Sequence, residues 1–83
     1  MYKIKYTKRS QKDAKLLNEI GLKDKAAELI KIISNNPFQN PPPYEKMIGF
    51  INRYSRRINI KHRLVYEIDE YKIKILQMWS HYE

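Results

Sequence analysis

The sequence predicts an α+β domain, and three observations carry that prediction. The opening Met1-Tyr2-Lys3-Ile4-Lys5-Tyr6 alternates apolar and basic residues as a half-buried strand does. Two stripes of helical spacing follow, separated by Gly21. From Met47 onward, short alternating runs are joined by polar turns, the pattern of antiparallel hairpins. The expected architecture is an N-terminal strand and a two-helix hairpin packed on one face of a mostly antiparallel, twisted sheet. Residues 1–83 carry no internal repeat and read as a single domain, near the size where one core is only just sufficient.

In the first strand, Tyr2, Ile4 and Tyr6 share one face and Lys3 and Lys5 the other. Thr7 or Ser10 can cap the next helix, because either hydroxyl can accept from the free amides of a first turn. Ala14, Leu17 and Ile20 form a narrow apolar stripe, and Gly21 ends it as a left-handed residue would. The second helix has the clearer stripe, Leu22, Ala26, Leu29, Ile30 and Ile33. It should stop at Asn35-Asn36-Pro37, since proline disfavours helical geometry in the residue before it.

Three consecutive prolines, Pro41 to Pro43, favour an extended polyproline connector that hands a stiff chain to Glu45. Strands are expected over 54–58, 63–68 and 73–79, with turns at 59–62 and 69–71. Leu64, Tyr66 and Ile68 should face the core, leaving Arg63, Val65 and Glu67 on the other side. The last strand breaks parity: Ile73 and Ile75 are in phase, whereas Leu76 and Met78 are not. Either both its faces are partly buried or a bulge intervenes. The face opposite the helices should carry the arginines.

Seventeen Lys and Arg against nine Asp and Glu leave a net charge of +8, which points to a polyanion or an acidic partner. The densest basic region combines Lys46, Arg53, Arg56, Arg57 and Lys61, with Tyr54, Trp79 and Tyr82 as stacking platforms for RNA. There is no cysteine, and the two histidines lie far apart, so neither a disulfide framework nor a metal site is expected, and no cofactor. No apolar run is long enough to span a bilayer and no apolar signal segment opens the chain, so a cytoplasmic location follows by default.

A protein cutting RNA without metal must deprotonate a ribose 2′-hydroxyl, protonate the departing 5′-oxygen and stabilise charge on the phosphoryl oxygens. Glu45, His81 and Arg63 are the residue types for these tasks, in segments a compact sheet can bring together. Imidazole titrates near ~6.5 and suits proton transfer, while a carboxylate near ~4.3 needs a raised pKa or close positioning to act as base. Taken singly, each has a plainer reading: a solvated loop glutamate, an arginine paired with Glu67 across its strand, an exposed histidine near a terminus. Tyr82 can simply anchor the tail, and His62 reads as a turn residue.

The combination is more specific. Asn36-Pro37-Phe38, Pro43-Tyr44-Glu45-Lys46, Tyr54-Ser55-Arg56-Arg57-Ile58, His62-Arg63-Leu64-Val65-Tyr66 and His81-Tyr82 together closely resemble the YoeB (Txe) toxin family, within the RelE-like group. The resemblance runs over nearly the whole chain and is loosest at Gly49 to Asn52. It implies a ribosome-dependent mRNA endonuclease that enters the ribosomal A site and is counteracted by a YefM-type antitoxin. Related toxins are often seen as pairs, which adds a homodimer to the expected partners. Carried over from the family, Glu45 is the general base, Arg63 stabilises the phosphoryl charge, His81 is the general acid and Tyr82 orients the nucleotide. Lys46 and Arg57 fall in or beside positions expected to hold the RNA backbone. Glu83 departs from members that end at the tyrosine, and puts any role of a terminal tyrosine carboxylate in doubt. The competing function is a non-cleaving basic module that blocks translation or represses an operon with its antitoxin.

Overall fold

A computed structural model describes residues 1–79. Strand β1 (Lys3–Tyr6) leads into α1 (Lys8–Glu19) and α2 (Lys23–Asn35). Four further strands follow: β2 (Glu45–Lys46), β3 (Arg53–Arg57), β4 (Arg63–Asp69) and β5 (Lys72–Gln77). They form one sheet in the order β1-β5-β4-β3-β2, antiparallel except where β1 runs parallel to β5. The α+β architecture expected from the sequence is the one observed.

Local chemistry explains the helix ends. Thr7 caps α1, its hydroxyl oxygen accepting the Ser10 amide at 3.1 Å. The same hydroxyl donates to the carbonyls of Ile75 and Leu76, which ties the helix start to β5. Gly21 has φ of 77° between the helices, a conformation that costs a residue with a Cβ roughly 1–2 kcal/mol. Ile20 is half exposed at the end of α1 and does not extend the apolar stripe as expected. From α1 and α2, Leu17, Ala26, Leu29 and Ile33 pack on Leu64, Tyr66, Ile73, Ile75 and Met78 of the sheet side.

The parity break in β5 is a bulge. Val65 pairs with Gln77 and Tyr66 with Ile75, so Leu76 is the extra residue. That one insertion keeps Ile73 and Ile75 in the core and turns Met78 back into it. The strand ends at Gln77 rather than at Trp79, and the Trp79 ring stacks on His62, with centroids 4.1 Å apart.

The proline connector differs from expectation. The chain bends at Pro41 and Pro42, and the Asn40–Pro41 and Pro41–Pro42 peptide bonds are cis, so no extended polyproline run forms. The loop folds onto the sheet instead, because its carbonyls at Pro37 and Pro42 accept hydrogen bonds from the Arg56 guanidinium.

Candidate functional site

Sheet register assembles the site on the face away from the helices. Glu45, Ser55, Val65 and Gln77 are successive register partners across β2, β3, β4 and β5, so their side chains form one row. Two residues further along, on the same face, Arg57 stands opposite Arg63. Two like charges facing each other destabilise a strand pair unless an anion joins them. Glu45 supplies it: Arg63 Nη1 donates to Glu45 Oε1 at 2.5 Å. The Glu45 side chain remains 70% exposed, so this pair can open for a ligand at little cost.

Above the row lies a cleft of about 590 Å³, whose lining includes Glu45, Lys46, Lys61, Arg63 and Gln77. A smaller hollow of about 140 Å³ adjoins it, shared by Glu45, Arg57 and Arg63 with Tyr44. A carboxylate, an arginine and two lysines thus line the cleft, with a second arginine in the adjoining hollow. The arrangement offers a proton acceptor beside cations able to grip a phosphodiester from several directions.

Of the residues expected at the site, Glu45, Lys46, Lys61 and Arg63 come together and Arg57 is adjacent. Arg56 is a correction: it is 1% exposed and points to the helix side with Tyr54, Leu64 and Tyr66. Its Nε donates to the Tyr66 hydroxyl at 3.1 Å and its Nη2 to the Pro37 carbonyl at 3.0 Å. It is therefore a buried structural cation rather than an RNA contact, as its alternation with Ser55 already required. Arg53 lies on the open face, but it pairs with Glu67 at 3.1 Å and covers the Phe50 ring, away from the cleft. The plainer reading of Arg63, as a partner of Glu67, does not hold: Glu67 pairs with Arg53, and Arg63 with Glu45. His81 and Tyr82 lie outside the described residues.

The sequence reading missed Ser55 and Gln77 in the cleft and Asp13 beneath the end of β5. Ser55 is signalled by alternation with Arg53 and Arg57. Gln77 was obscured by the bulge. Asp13 accepts the Met78 amide in the buried interior. Its only sequence signal is an acid next to Ala14 on an apolar helix face. His62 is buried at the β3–β4 turn, where its carbonyl accepts the amides of Ile58 and Asn59. Burial raises the pKa of the Tyr66 phenol, opposed by the hydrogen bond from Arg56.

A small sheet with a helical hairpin on one face recurs among solved structures. A chain of an Escherichia coli DinJ–YafQ complex has the same fold, with a TM-score of 0.84 at 16% identity over 98% of this chain and 94% of that one. Nearer relatives narrow the class. Staphylococcus aureus YoeB, solved as a dimer, superposes with a TM-score of 0.84 at 33% identity over 98% of both chains. A heterotetrameric YoeB–YefM complex from the same organism gives 0.83 at 32% identity over 99% of both. Toxin YoeB of Synechocystis sp. is 39% identical over 74 residues, 88% of this chain and 79% of that protein. Residues 5–82 match the model of the YoeB-like toxin of bacterial type II toxin-antitoxin systems. The chain belongs to that family.

Proposed function

We propose that the protein is a ribosome-dependent endoribonuclease that cleaves mRNA in the ribosomal A site and so arrests translation. Glu45 takes the proton of the ribose 2′-hydroxyl as that oxygen attacks the adjacent phosphorus. Arg63 releases Glu45 when the phosphodiester enters and stabilises the charge growing on the phosphoryl oxygens. His81 protonates the departing 5′-oxygen, Tyr82 orients the nucleotide, and Lys46, Arg57 and Lys61 hold the backbone. No step needs a metal ion. The observation that carries the reading is the Arg63–Glu45 pair at the mouth of a basic cleft. Support comes also from sequence: His81 and Tyr82 follow closely on Gln77, which lines that cleft.

A YefM-like antitoxin is the proposed partner, its acidic segment lying over the cleft and neutralising the cations. Pairing with a second copy, and action in the cytoplasm where ribosomes work, complete the reading. No helix among the described residues is long and apolar enough to cross a membrane.

Mapping the 5′ ends of message in arrested cells tests the proposal. Discrete cuts near codons are expected, lost in His81→Ala and Arg63→Ala variants that remain folded. Arrest with intact message would replace the nuclease by a translation-blocking module, and cuts that persist in both variants would overturn the residue roles. Rates on translating ribosomes should far exceed those on free RNA, because one small domain has limited surface for positioning substrate.

A further inference from the structure

Beyond the cleft, the open face carries a second basic array that the proposed chemistry does not use. The parallel register of β1 and β5 sets Lys3 beside Lys72 and Lys5 beside Lys74. All four side chains are exposed. Neighbouring strands lie about 4.8 Å apart, and same-face residues along a strand about 7 Å apart, so the four lysines spring from one small rectangle of backbone. None of the four makes an ion pair with a described residue. Of the two acids beside the array on β4, Glu67, opposite Lys74, is taken by Arg53, and Asp69, opposite Lys72, stands in register with it without an ion pair to a described residue.

Solvation alone accounts poorly for this array. Lysine on an edge strand discourages pairing with another sheet, which is reason enough for Lys3 and Lys5 on β1. Lys72 and Lys74 sit on β5, an inner strand with both edges already paired, where that protection has no purpose. Like charges in lateral register cost stability until a counter-charge settles between them. Tyr71, exposed at the turn just before Lys72, adds an aromatic ring at the margin.

We propose that Lys3, Lys5, Lys72 and Lys74 form a secondary phosphate-binding surface for the single-stranded RNA that continues out of the cleft. The surface lies on the same face as Glu45, Ser55, Val65 and Gln77, and β5 connects the two directly. Lysine suits the task, being a compact, flexible point charge that follows a backbone without reading bases. The surface extends the endonuclease reading, from which it takes the RNA strand in the cleft.

The test is the salt dependence of binding to fluorescent oligouridine, in one length that fills the cleft alone and a longer one. For the protein with all four lysines changed to Gln, the log–log salt slope for the longer strand should become shallower by up to about 2.8, or 0.7 per phosphate contact. The short strand should bind as before. An unchanged slope on the longer strand, or equal losses on both, would overturn the proposal. So would a loss confined to binding of an acidic peptide, which would assign the surface to a protein partner instead. If the quadruple variant fails to fold, Lys72→Gln with Lys74→Gln should still remove about 1.4 from the slope. Cleavage mapped by 5′ ends is scored separately, so failure of the nuclease reading and failure of this surface are distinguishable.

Discussion

Asp13 on α1 accepts the backbone amide of Met78 at 2.8 Å, across 65 residues of sequence. The carboxylate is fully buried, as is almost all of Met78. It holds the chain just past the bulge, where β5 leaves the sheet. Thr7, the cap of the same helix, holds the preceding residues through the Ile75 and Leu76 carbonyls. Helix α1 and its cap thus fix the path of the chain over residues 75–78.

Asp13→Ala should destabilise the protein by about 1–3 kcal/mol, because the Met78 amide is left buried without an acceptor. Asn at the same position keeps an acceptor oxygen and should lose less. Urea unfolding of the two variants separates these outcomes. Equal losses would show that the negative charge, rather than the accepted hydrogen bond, is what matters.

Arg56 and Arg57 are neighbours in sequence with opposite roles. Arg56→Met removes the donor that serves Tyr66, Pro37 and Pro42 together, and should cost on the order of 3 kcal/mol. Arg57→Ala at the exposed face should stay within about 0.5 kcal/mol. Charge reversal at Arg57 should weaken an acidic partner laid over the cleft while the melting temperature holds. Reversal at Arg56 should abolish folding instead, so the partner's affinity should be measured on the Arg57 variant alone.

Alkaline stability should follow Tyr66. Burial lifts its phenol above the ordinary value of 10.0, against the opposing pull of Arg56. With the folded pKa above the unfolded one, the contribution is fully present below pH 10 and is lost as pH rises through the folded value. The unfolded chain gives up the proton first, so unfolding becomes easier. Tyr66→Phe should be less stable at neutral pH, having lost its hydrogen bonds to Arg56 and Pro37, yet flatter above pH 10. Denaturation midpoints across that range provide the check.

Much of this could be read from residue order, and the failures share a cause. Period-2 and period-3.6 patterns revealed both helices and every strand except β2, whose two residues are both exposed and leave no alternation to read. They placed Leu64 and Tyr66 inward, whereas Glu45 and Arg63 were singled out by their chemistry and by the family resemblance. Parity applied to Tyr54-Ser55-Arg56-Arg57 would also have put Arg56 inside, but charge outweighed alternation in that reading. The carbonyls that make its burial tolerable belong to Pro37 and Pro42, many residues away, and no local pattern announces them. Asp13 is similar: a carboxylate on an apolar helix face signals a partner without naming it. The bulge at Leu76 was visible as a break in phase, but only the register with Val65 and Tyr66 identifies the extra residue.

The cleft residues should separate catalysis from stability. Arg63–Glu45 is an open pair, with side chains 37% and 70% exposed, so breaking it should change folding stability by less than about 1 kcal/mol. Glu45→Gln keeps the shape and a hydrogen-bond acceptor but removes the base, and should lower the single-turnover cleavage rate by about 10²–10⁴. Arg63→Lys keeps the charge while losing the planar fork, and should recover only part of what Arg63→Ala loses. If Glu45→Gln cleaves ribosome-bound message at the parent rate, the carboxylate serves only to hold Arg63. The proton would then leave the 2′-hydroxyl by another route. Lost stability in that variant would instead make the pair a structural clamp between β2 and β4, bridging across β3.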